Sequence, residues 1–275
     1  MKRALNNDTD AALVASDARV RRAAMETLCN LDKAALALHA GTIVGVLADA
    51  DDDVRLQAVF ALSKLNAKEL ALHAEAIVIV LKDPNASVRQ EAVVALGKLN
   101  KTLLARHASA IVSVIKDPNV RVRRAAVETL GNLHPAALVL HAGAIVGVLA
   151  DPTVAVRKEA VQILFNLDQP ALAQHAGAIV GVLTDHNDDL RCMALNFLSF
   201  LDQAELKLHA GAIVGVLTDS DARVRRVAVE TLGMLDKVAL TLHAGAIANI
   251  LADSDAEVRH AATVALRKLD QVAHH

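Results

Sequence analysis

Aromatic residues are scarce in this sequence of 275 residues, which has no tryptophan, no tyrosine and four phenylalanines. That scarcity, together with few hairpin signals such as Asn-Gly, argues against a β-sandwich or β-barrel. The two cysteines, Cys29 and Cys192, are too few for a disulfide framework and are typical of a reducing compartment. What is abundant is alanine and leucine, in a chain that is 54% hydrophobic, and this predicts a helical core.

The sequence also lacks an excess of either charge, because its 29 basic residues nearly balance its 31 acidic residues. The chain therefore has no overall attraction for nucleic acid or for an anionic membrane. No apolar run approaches the roughly 20 residues of a membrane-spanning helix. The start, MKRALNNDTD, lacks the hydrophobic region of a signal peptide. These features predict an intracellular protein, most simply a cytoplasmic one.

Three residue types recur together every 34 residues, without an insertion or deletion. An arginine follows valine or leucine at Arg21, Arg55, Arg89, Arg123, Arg157, Arg191, Arg225 and Arg259. An aspartate stands six residues before the arginine at Asp49, Asp83, Asp117, Asp151, Asp185, Asp219 and Asp253. A His-Ala pair begins at His39, His73, His107, His141, His175, His209 and His243. Chance does not keep three such series in phase, so the chain is an array of repeats.

Each repeat contains two helical patterns, which we name helix A and helix B. Apolar residues with helical spacing form one stripe in each, at Leu138, Ala142, Ile145 and Leu149 in helix A and at Val122, Ala126, Leu130 and Leu133 in helix B. An Asp or Asn precedes most B helices and is predicted to cap them, at Asp17, Asp51, Asn85, Asn119, Asn187, Asp221 and Asp255. Short connections make neighbouring helices antiparallel, and stacking buries their stripes in one continuous core.

The spacing predicts an all-α fold of eight 34-residue repeats in a single solenoid over residues 1–275. Helix B is expected to start near residues 19, 53, 87, 121, 155, 189, 223 and 257. Residues 1–15 are a partial repeat, and 270–275 are the truncated start of another. The chain is therefore expected to be part of a longer array.

Residues Asp117 to Leu133 read Asp-x-Asn-x-x-Val-Arg-x-x-Ala-Val-x-x-Leu-Gly-x-Leu. This pattern resembles the HEAT-repeat signature, in the HEAT-like variant shared with phycobilisome-lyase-type repeats. The resemblance implies a right-handed, armadillo-like α-α superhelix whose B helices line the concave surface. It also implies a hydrogen-bonded ladder between repeats, made by the aspartate and the arginine six positions later, from Asp49 and Arg55 to Asp253 and Arg259. Arg21 is expected to lack a partner, because Ala15 occupies the aspartate position.

The sequence predicts no catalytic centre, no cofactor and no metal site. Equivalent histidines of stacked repeats lie about 10 Å apart, whereas a shared ion needs ligands at about 2.1 Å. We expect each imidazole to bond a loop carbonyl or aspartate instead. Phosphate loops, nucleophile elbows and Cys-x-x-Cys are missing, and so is the His-Glu pair that di-iron hydroxylases of HEAT architecture use as ligands.

Two further features have ordinary explanations at this stage. Arg22, Arg124 and Arg226 each precede a glutamate by four residues, which is typical of surface ion pairs and argues against a nucleic-acid site. Glycine pairs recur in helix A at positions 41/45, 143/147, 177/181 and 211/215. Tolerated weak helicity is favoured for them over close approach of a partner.

The repeat pattern is broken in the sixth B helix, where Met193, Phe197 and Phe200 lie on one helical face. The corresponding positions of the fourth repeat hold Ala125, Thr129 and Asn132, and neighbouring repeats add Ile163, Val227 and Met234. A smaller apolar pair, Leu56 and Phe60, occurs in the second repeat. Two interpretations stay open: an exposed interaction site, or bulk that fills wider gaps between repeats.

We therefore expect a non-enzymatic scaffold or adaptor that binds a protein or peptide partner on the B-helix surface, with the apolar residues above as anchors. One alternative is a structural subunit of a larger assembly, held by its ends and outer face. A second is a lyase-like helper that cradles a chromophore or an apolar ligand. Neither the partner nor the oligomeric state follows from the sequence.

Overall fold

The computed structural model describes residues 9–270, which are helical with no strand. Residues 9–12 are helical, and the helices that follow in chain order are α1 Ala18–Cys29, α2 Lys33–Leu38, α3 Ala40–Gly45, α4 Asp52–Ser63, α5 Ala67–Leu72, α6 Ala74–Val80, α7 Ala86–Gly97, α8 Lys101–Val112, α9 Val120–Gly131, α10 Pro135–Val146, α11 Val154–Leu164, α12 Gln169–Val182, α13 Asp188–Ser199, α14 Gln203–Gly215, α15 Ala222–Leu232, α16 Lys237–Asn249 and α17 Ala256–Asp270. Short 3₁₀ turns follow some of them, at Val46–Ala48, Gly147–Ala150, Val216–Thr218 and Ile250–Ala252.

The B helices start every 34 residues, from Ala18 to Ala256, one residue before the predicted positions. They are α1, α4, α7, α9, α11, α13, α15 and α17. The predicted caps are confirmed, because the Asp or Asn side chain accepts a hydrogen bond from a backbone N–H of the first turn. The A helices have Asp or Asn caps that the sequence analysis missed, at Asp32, Asn66, Asn100, Asp168, Asp202 and Asp236.

The A helices differ between repeats. His39 and His73 interrupt the first two, so that α2 and α3, and likewise α5 and α6, are separate helices. The later ones run through the equivalent histidine without a break. Pro135 and Pro170 lie in the first turn of α10 and α12, where a missing backbone N–H removes no intrahelical bond.

Contacts divide the chain into two compact blocks, residues 1–144 and 145–275. Inside each block every B helix packs against the next B helix, and the A helices form a second layer on them. The alanine three residues after each repeat arginine is buried in every described repeat, from Ala24 to Ala262, and forms the core of these contacts. That residues 1–275 make a single array of eight repeats stays a prediction.

Two predictions concern the ends of the chain. Residues 1–8 and 271–275 lie outside the described residues. Asp270, predicted to start a further A helix, is instead the last residue of α17. Arg267 and Lys268 in the last turn of α17 favour this extension, because cations stabilise the C-terminal end of a helix. Between residues 9 and 270, the structure has no helix of the length and apolarity needed to cross a membrane.

Candidate partner-binding surface

The repeat arginines join successive repeats, but in a direction that the sequence analysis did not predict. Arg55 donates from Nη1 to the backbone carbonyl of Asp49, six residues earlier, at 2.7 Å. Its Nε and Nη2 donate to the carboxylate of Asp83, 28 residues later, at 2.7 and 2.9 Å. The same double contact forms for Arg89 with Asp117 in the first block, and for Arg157, Arg191 and Arg225 with Asp185, Asp219 and Asp253 in the second.

The expectation that Arg21 lacks a partner is therefore wrong. Its guanidinium donates to the carboxylate of Asp49 at 2.6 and 2.7 Å, and its Nη1 to the carbonyl of Ala15 at 2.8 Å. A backbone carbonyl is present whatever the side chain, so Ala15 serves as well as aspartate there. At the other end, Arg259 donates only to the carbonyls of Asp253 and Ser254 among the described residues.

The electrostatics of this ladder favour the charged forms of both partners. Burial acts to raise the pKa of Asp185, but hydrogen bonds from Arg157 and from the Asn187 amide outweigh it, and the pKa is below its usual value. Near the first repeat, the hydrogen bond from Arg22 lowers the pKa of Asp51 to about 2. These ion pairs hold successive repeats together.

The junction between α11 and α13 is filled by aromatic rings. Phe197 is fully buried, and Phe165 meets it edge-on, with ring centroids 5.4 Å apart. Phe165 also meets Phe200 edge-on at 5.7 Å, and Phe200 itself is 60% exposed. This arrangement decides between the two interpretations of the sixth repeat: Phe197 fills the gap between repeats, while Phe200 stays at the surface.

The equivalent junction between α15 and α17 is packed by small side chains instead of rings. Gly233 and Ala265 stand where the α11–α13 junction has Phe165 and Phe197, and a Cβ added to Gly233 would lie 3.4 Å from the Ala265 Cβ. A groove of about 610 Å³ lies beside this contact and is lined by residues of both helices. We call it the α15–α17 groove. Met234, 47% exposed, and Val264, 53% exposed, line it as the large apolar residues.

The rim of the α15–α17 groove is charged. Its ionisable residues are Arg226, Glu230, Glu257, His260, Arg267 and Lys268. Arg226 Nη1 donates to Glu230 Oε1 at 2.8 Å, and Lys268 Nζ donates to the carbonyl of Gly233 at 2.8 Å. An apolar centre with a polar rim is the composition of a protein-binding surface.

The predicted anchor residues are not one continuous exposed surface. Phe197 and Ile163 are buried, so their prediction as partner contacts is wrong: both side chains belong to the packing between helices. Met193 and Val227 are half-buried, whereas Phe200 and Met234 are exposed; all four remain predictions as contacts. Leu56, half-buried, and Phe60, 43% exposed, lie on α4 in the first block, where Lys64 Nζ stands 4.8 Å above the Phe60 ring.

The sequence analysis missed Val264 and Gly233. Val264 occupies the repeat position of Glu128, Glu230 and Phe60, so an apolar residue at a position that is elsewhere charged was a signal that could have found it. Gly233 has no such signal, because Gly97 and Gly131 occupy the same position in other repeats. Only the tertiary structure shows that Gly233 lies beside a groove.

The histidines do not share one structural role, contrary to prediction. His39 is buried, with Nδ1 2.8 Å from Asp10 Oδ1, and His107 is buried with Nδ1 3.9 Å from Glu75 Oε1. The other five are half-buried and, within residues 9–270, make no hydrogen bond to a loop carbonyl. The 34-residue period repeats the histidine but not the groups that it contacts in the folded chain.

The surface ion pairs predicted for the arginine clusters form in two of three places. Arg124 and Arg226 pair with Glu128 and Glu230 at 2.6 and 2.8 Å. Arg22 instead reaches the next repeat, with Nε 2.9 Å from Asp51 Oδ1. Burial raises the pKa of both Cys29 and Cys192, and neither thiol is in a disulfide.

One acidic cluster in the described residues brings three carboxylates within 4.8 Å of one another: Asp51, Asp52 and Asp53. Asp51 is already hydrogen-bonded to Arg22 and to the amide of Val54, and Asp53 lies 3.0 Å from Arg22. The cluster is explained by capping of α4 and by its contact with Arg22.

Stacked pairs of helices, linked by a repeated Arg–Asp contact, define an α-solenoid repeat protein. Comparison with known proteins gives the class of repeat: residues 41–105 and 74–139 match the model of HEAT repeats. The other repeats continue the same 34-residue spacing and the same order of helices.

Solved structures with the same architecture include an engineered protein and YibA of Escherichia coli. The engineered protein is 20% identical, with a TM-score of 0.64 over 96% of this chain and 78% of its own. YibA is 19% identical, with a TM-score of 0.58 over 97% of this chain and 92% of its own. At these identities the likeness shows the fold. Among curated proteins, none matches this sequence.

Proposed function

We propose that this protein is a non-enzymatic scaffold that binds a peptide segment of a protein partner in the α15–α17 groove. The observation that carries the proposal is the α15–α17 groove, with its exposed apolar centre and its ionisable rim. Where the α11–α13 junction is closed by two rings, the α15–α17 junction has Gly233 and Ala265, with Met234 and Val264 exposed beside them. An apolar side chain of a partner would enter the groove and contact Met234 and Val264 there.

The rim favours a peptide over an apolar ligand such as a chromophore. Six of the eleven residues around the groove are ionisable, and they include both signs of charge. A peptide backbone and its polar side chains find hydrogen-bond partners among them, whereas a wholly apolar ligand would leave these groups unsatisfied. Phe200, one repeat before Met234, extends the apolar surface along the B helices.

The test is selection of peptides from a displayed random library on the immobilised chain, followed by affinity measurement with variants. We expect selected peptides to lose at least about tenfold in affinity for Met234→Glu and Val264→Glu, because each places a charge in the apolar centre. Val94→Glu is the matched control: Val94 has the same repeat position as Val264, is exposed, and lies in the first block.

The melting temperatures of all three variants are measured as well, so that a loss of binding caused by unfolding is recognised. Peptides that bind both groove variants as tightly as the unchanged chain would overturn the proposal. So would a library that yields no binding peptide at all.

A further inference from the structure

One repeat position changes its chemical character along the second block. It is the ninth residue after the repeat arginine, and in this block it is occupied in turn by Asn166, Phe200, Met234 and Lys268. All four side chains are exposed. We call these four residues the C-terminal row, because each lies at or just after the C-terminal end of its B helix.

Lysine at this position contacts the preceding repeat. The ammonium donates to the eighth residue after the arginine of that repeat, from Lys64 to the carbonyl of Cys29 at 2.7 Å, from Lys98 to the hydroxyl of Ser63 at 3.0 Å and from Lys268 to the carbonyl of Gly233 at 2.8 Å. Phe200 and Met234 have no group that could donate in this way. Phe200 packs on Phe165 and still leaves 60% of its surface exposed. Adjacent exposed apolar side chains at a position that is otherwise polar indicate an interaction surface.

The apolar part of the C-terminal row is one side chain wide. One helical turn earlier on the same B helices stand Asn196 and Glu230, which are exposed and polar. A partner helix buries an apolar stripe at least about 100° wide, so it would also cover these two polar residues. A partner that contributes one side chain to each repeat fits the row better.

The spacing of the row matches a polyproline II segment. Packed helices lie about 8–10 Å apart, so Phe200, Met234 and Lys268 recur at about that interval. In polyproline II every third side chain points in the same direction, about 9.3 Å further along. In a β-strand the side chains on one face recur about every 6.7 Å, which is shorter than the interval between repeats.

The row ends in positive charge. Lys268 Nζ donates to the carbonyls of Gly233 and Leu235 at 2.8 and 3.3 Å, which fixes the ammonium and leaves one of its three donors. Arg267 beside it is exposed, and neither cation forms an ion pair with a residue between positions 9 and 270. Of the two glutamates on the groove rim, Glu230 is paired with Arg226, and Glu257 lies in the first turn of α17, at its opposite end.

We propose that the C-terminal row selects a proline-rich partner segment in polyproline II conformation. Two apolar side chains three residues apart would contact Phe200 and Met234, and an acidic side chain three residues further would pair with Lys268. This inference rests on the proposed function and names the class of its partner. Proline sets the conformation before binding, so that less conformational freedom is lost in the complex.

Fluorescence polarisation with labelled seven-residue peptides tests the spacing. The first peptide is leucine, two prolines, leucine, two prolines and glutamate, and the second has the reverse order, because the row can be read in either chain direction. We expect binding in one direction. Three changes should each weaken it at least about tenfold: one proline removed from each pair, all prolines replaced by glycine, and glutamate replaced by lysine.

Variants of the chain test which residues hold the peptide. Phe200→Ser and Met234→Ser should each weaken binding at least about tenfold, whereas Phe60→Ser, an exposed ring on a B helix of the first block, is the matched control. Lys268→Glu should reverse the preference, so that the peptide ending in lysine binds better than the one ending in glutamate. Lys98→Glu, at the same repeat position in the first block, should leave the preference unchanged. Unfolding cannot produce a reversal, since an unfolded chain would bind neither peptide.

The outcomes separate this inference from the proposed function. Equal binding of both spacings, equal binding of the proline and glycine peptides, or an unchanged preference in Lys268→Glu overturns the inference. Library peptides that require Met234 and Val264 but lack the three-residue spacing overturn it as well, and they leave the proposed function standing. If neither the designed peptides nor any library peptide binds, both proposals fail.

Discussion

Arg191 places Nε and Nη2 each 2.7 Å from the carboxylate of Asp219, 28 residues later, and the same guanidinium bonds the carbonyl of Asp185. One side chain thus closes the loop of its own repeat and binds the next repeat. Both partners are about nine-tenths buried, with side chains 11% and 9% exposed. Removal of either leaves an unpaired charge in the junction.

We expect Arg191→Ala to lower the free energy of unfolding by about 3 kcal/mol or more, as for other broken buried ion pairs. Arg259→Ala removes only hydrogen bonds to backbone carbonyls among the described residues, and should cost about 1 kcal/mol. Urea denaturation of both variants measures the difference. Equal losses would show that the carboxylate contact adds nothing to the ladder.

Phe197 lies within α13 and Phe200 caps its C-terminal end. Truncation to alanine should destabilise the fold much more at Phe197 than at Phe200. Phe197→Ala empties a fully buried site and should cost about 3–5 kcal/mol of unfolding free energy. Phe200→Ala removes a ring that is 60% exposed, and should cost less than about 1 kcal/mol. The same urea titrations compare them, with a large loss in Phe200→Ala as the contradicting result.

Low pH should weaken the ion pair between Arg22 and Asp51, which joins the first two repeats. The hydrogen bond from Arg22 lowers its folded-state pKa to about 2, below the usual value of 3.8. A lowered pKa stabilises the fold above the unfolded pKa, and this stabilisation is lost as pH falls from about 4 towards 2.

Asp51→Asn retains a side-chain oxygen for the cap of α4 and removes the charge. The unchanged chain should therefore exceed Asp51→Asn in unfolding free energy at neutral pH, and the two should converge near pH 2. Denaturation at a series of pH values measures the gap. A gap that is constant over the whole series would exclude Asp51 as its source.

Two glycines should differ in their tolerance of alanine. Gly181→Ala should raise the free energy of unfolding by about 0.5–1 kcal/mol, because its Cβ meets open space on a helix. Gly97→Ala should gain less, because its Cβ would lie 3.2 Å from Thr129 Oγ1, a buried residue that has to move. Measurements belong at a concentration low enough to exclude association. A larger gain for Gly97→Ala would contradict this account.

Much of the fold was predictable because its determinants are local. The 34-residue period, the Asp or Asn caps and the stripe that includes Ala126 and Leu130 all depend on residues close in sequence, whose helical geometry fixes which side chains share a face. The candidate site was predictable only in part. Met234 was found as an apolar residue that interrupts the repeat, whereas Val264 and Gly233 were not.

The sequence by itself determined the helices, their order and which alanines and leucines face the core. Tertiary structure decided how the repeats meet. Arg21 binds Asp49 rather than an aspartate of its own repeat, because a long guanidinium spans the distance between stacked B helices. Phe165 meets the Phe197 ring across the α11–α13 junction, whereas Gly233 and Ala265 at the equivalent positions let α15 and α17 approach closely, so equivalent repeat positions are packed in different ways. Contacts between residues 28 or more positions apart depend on volume and reach across the junction, which the repeat period does not encode.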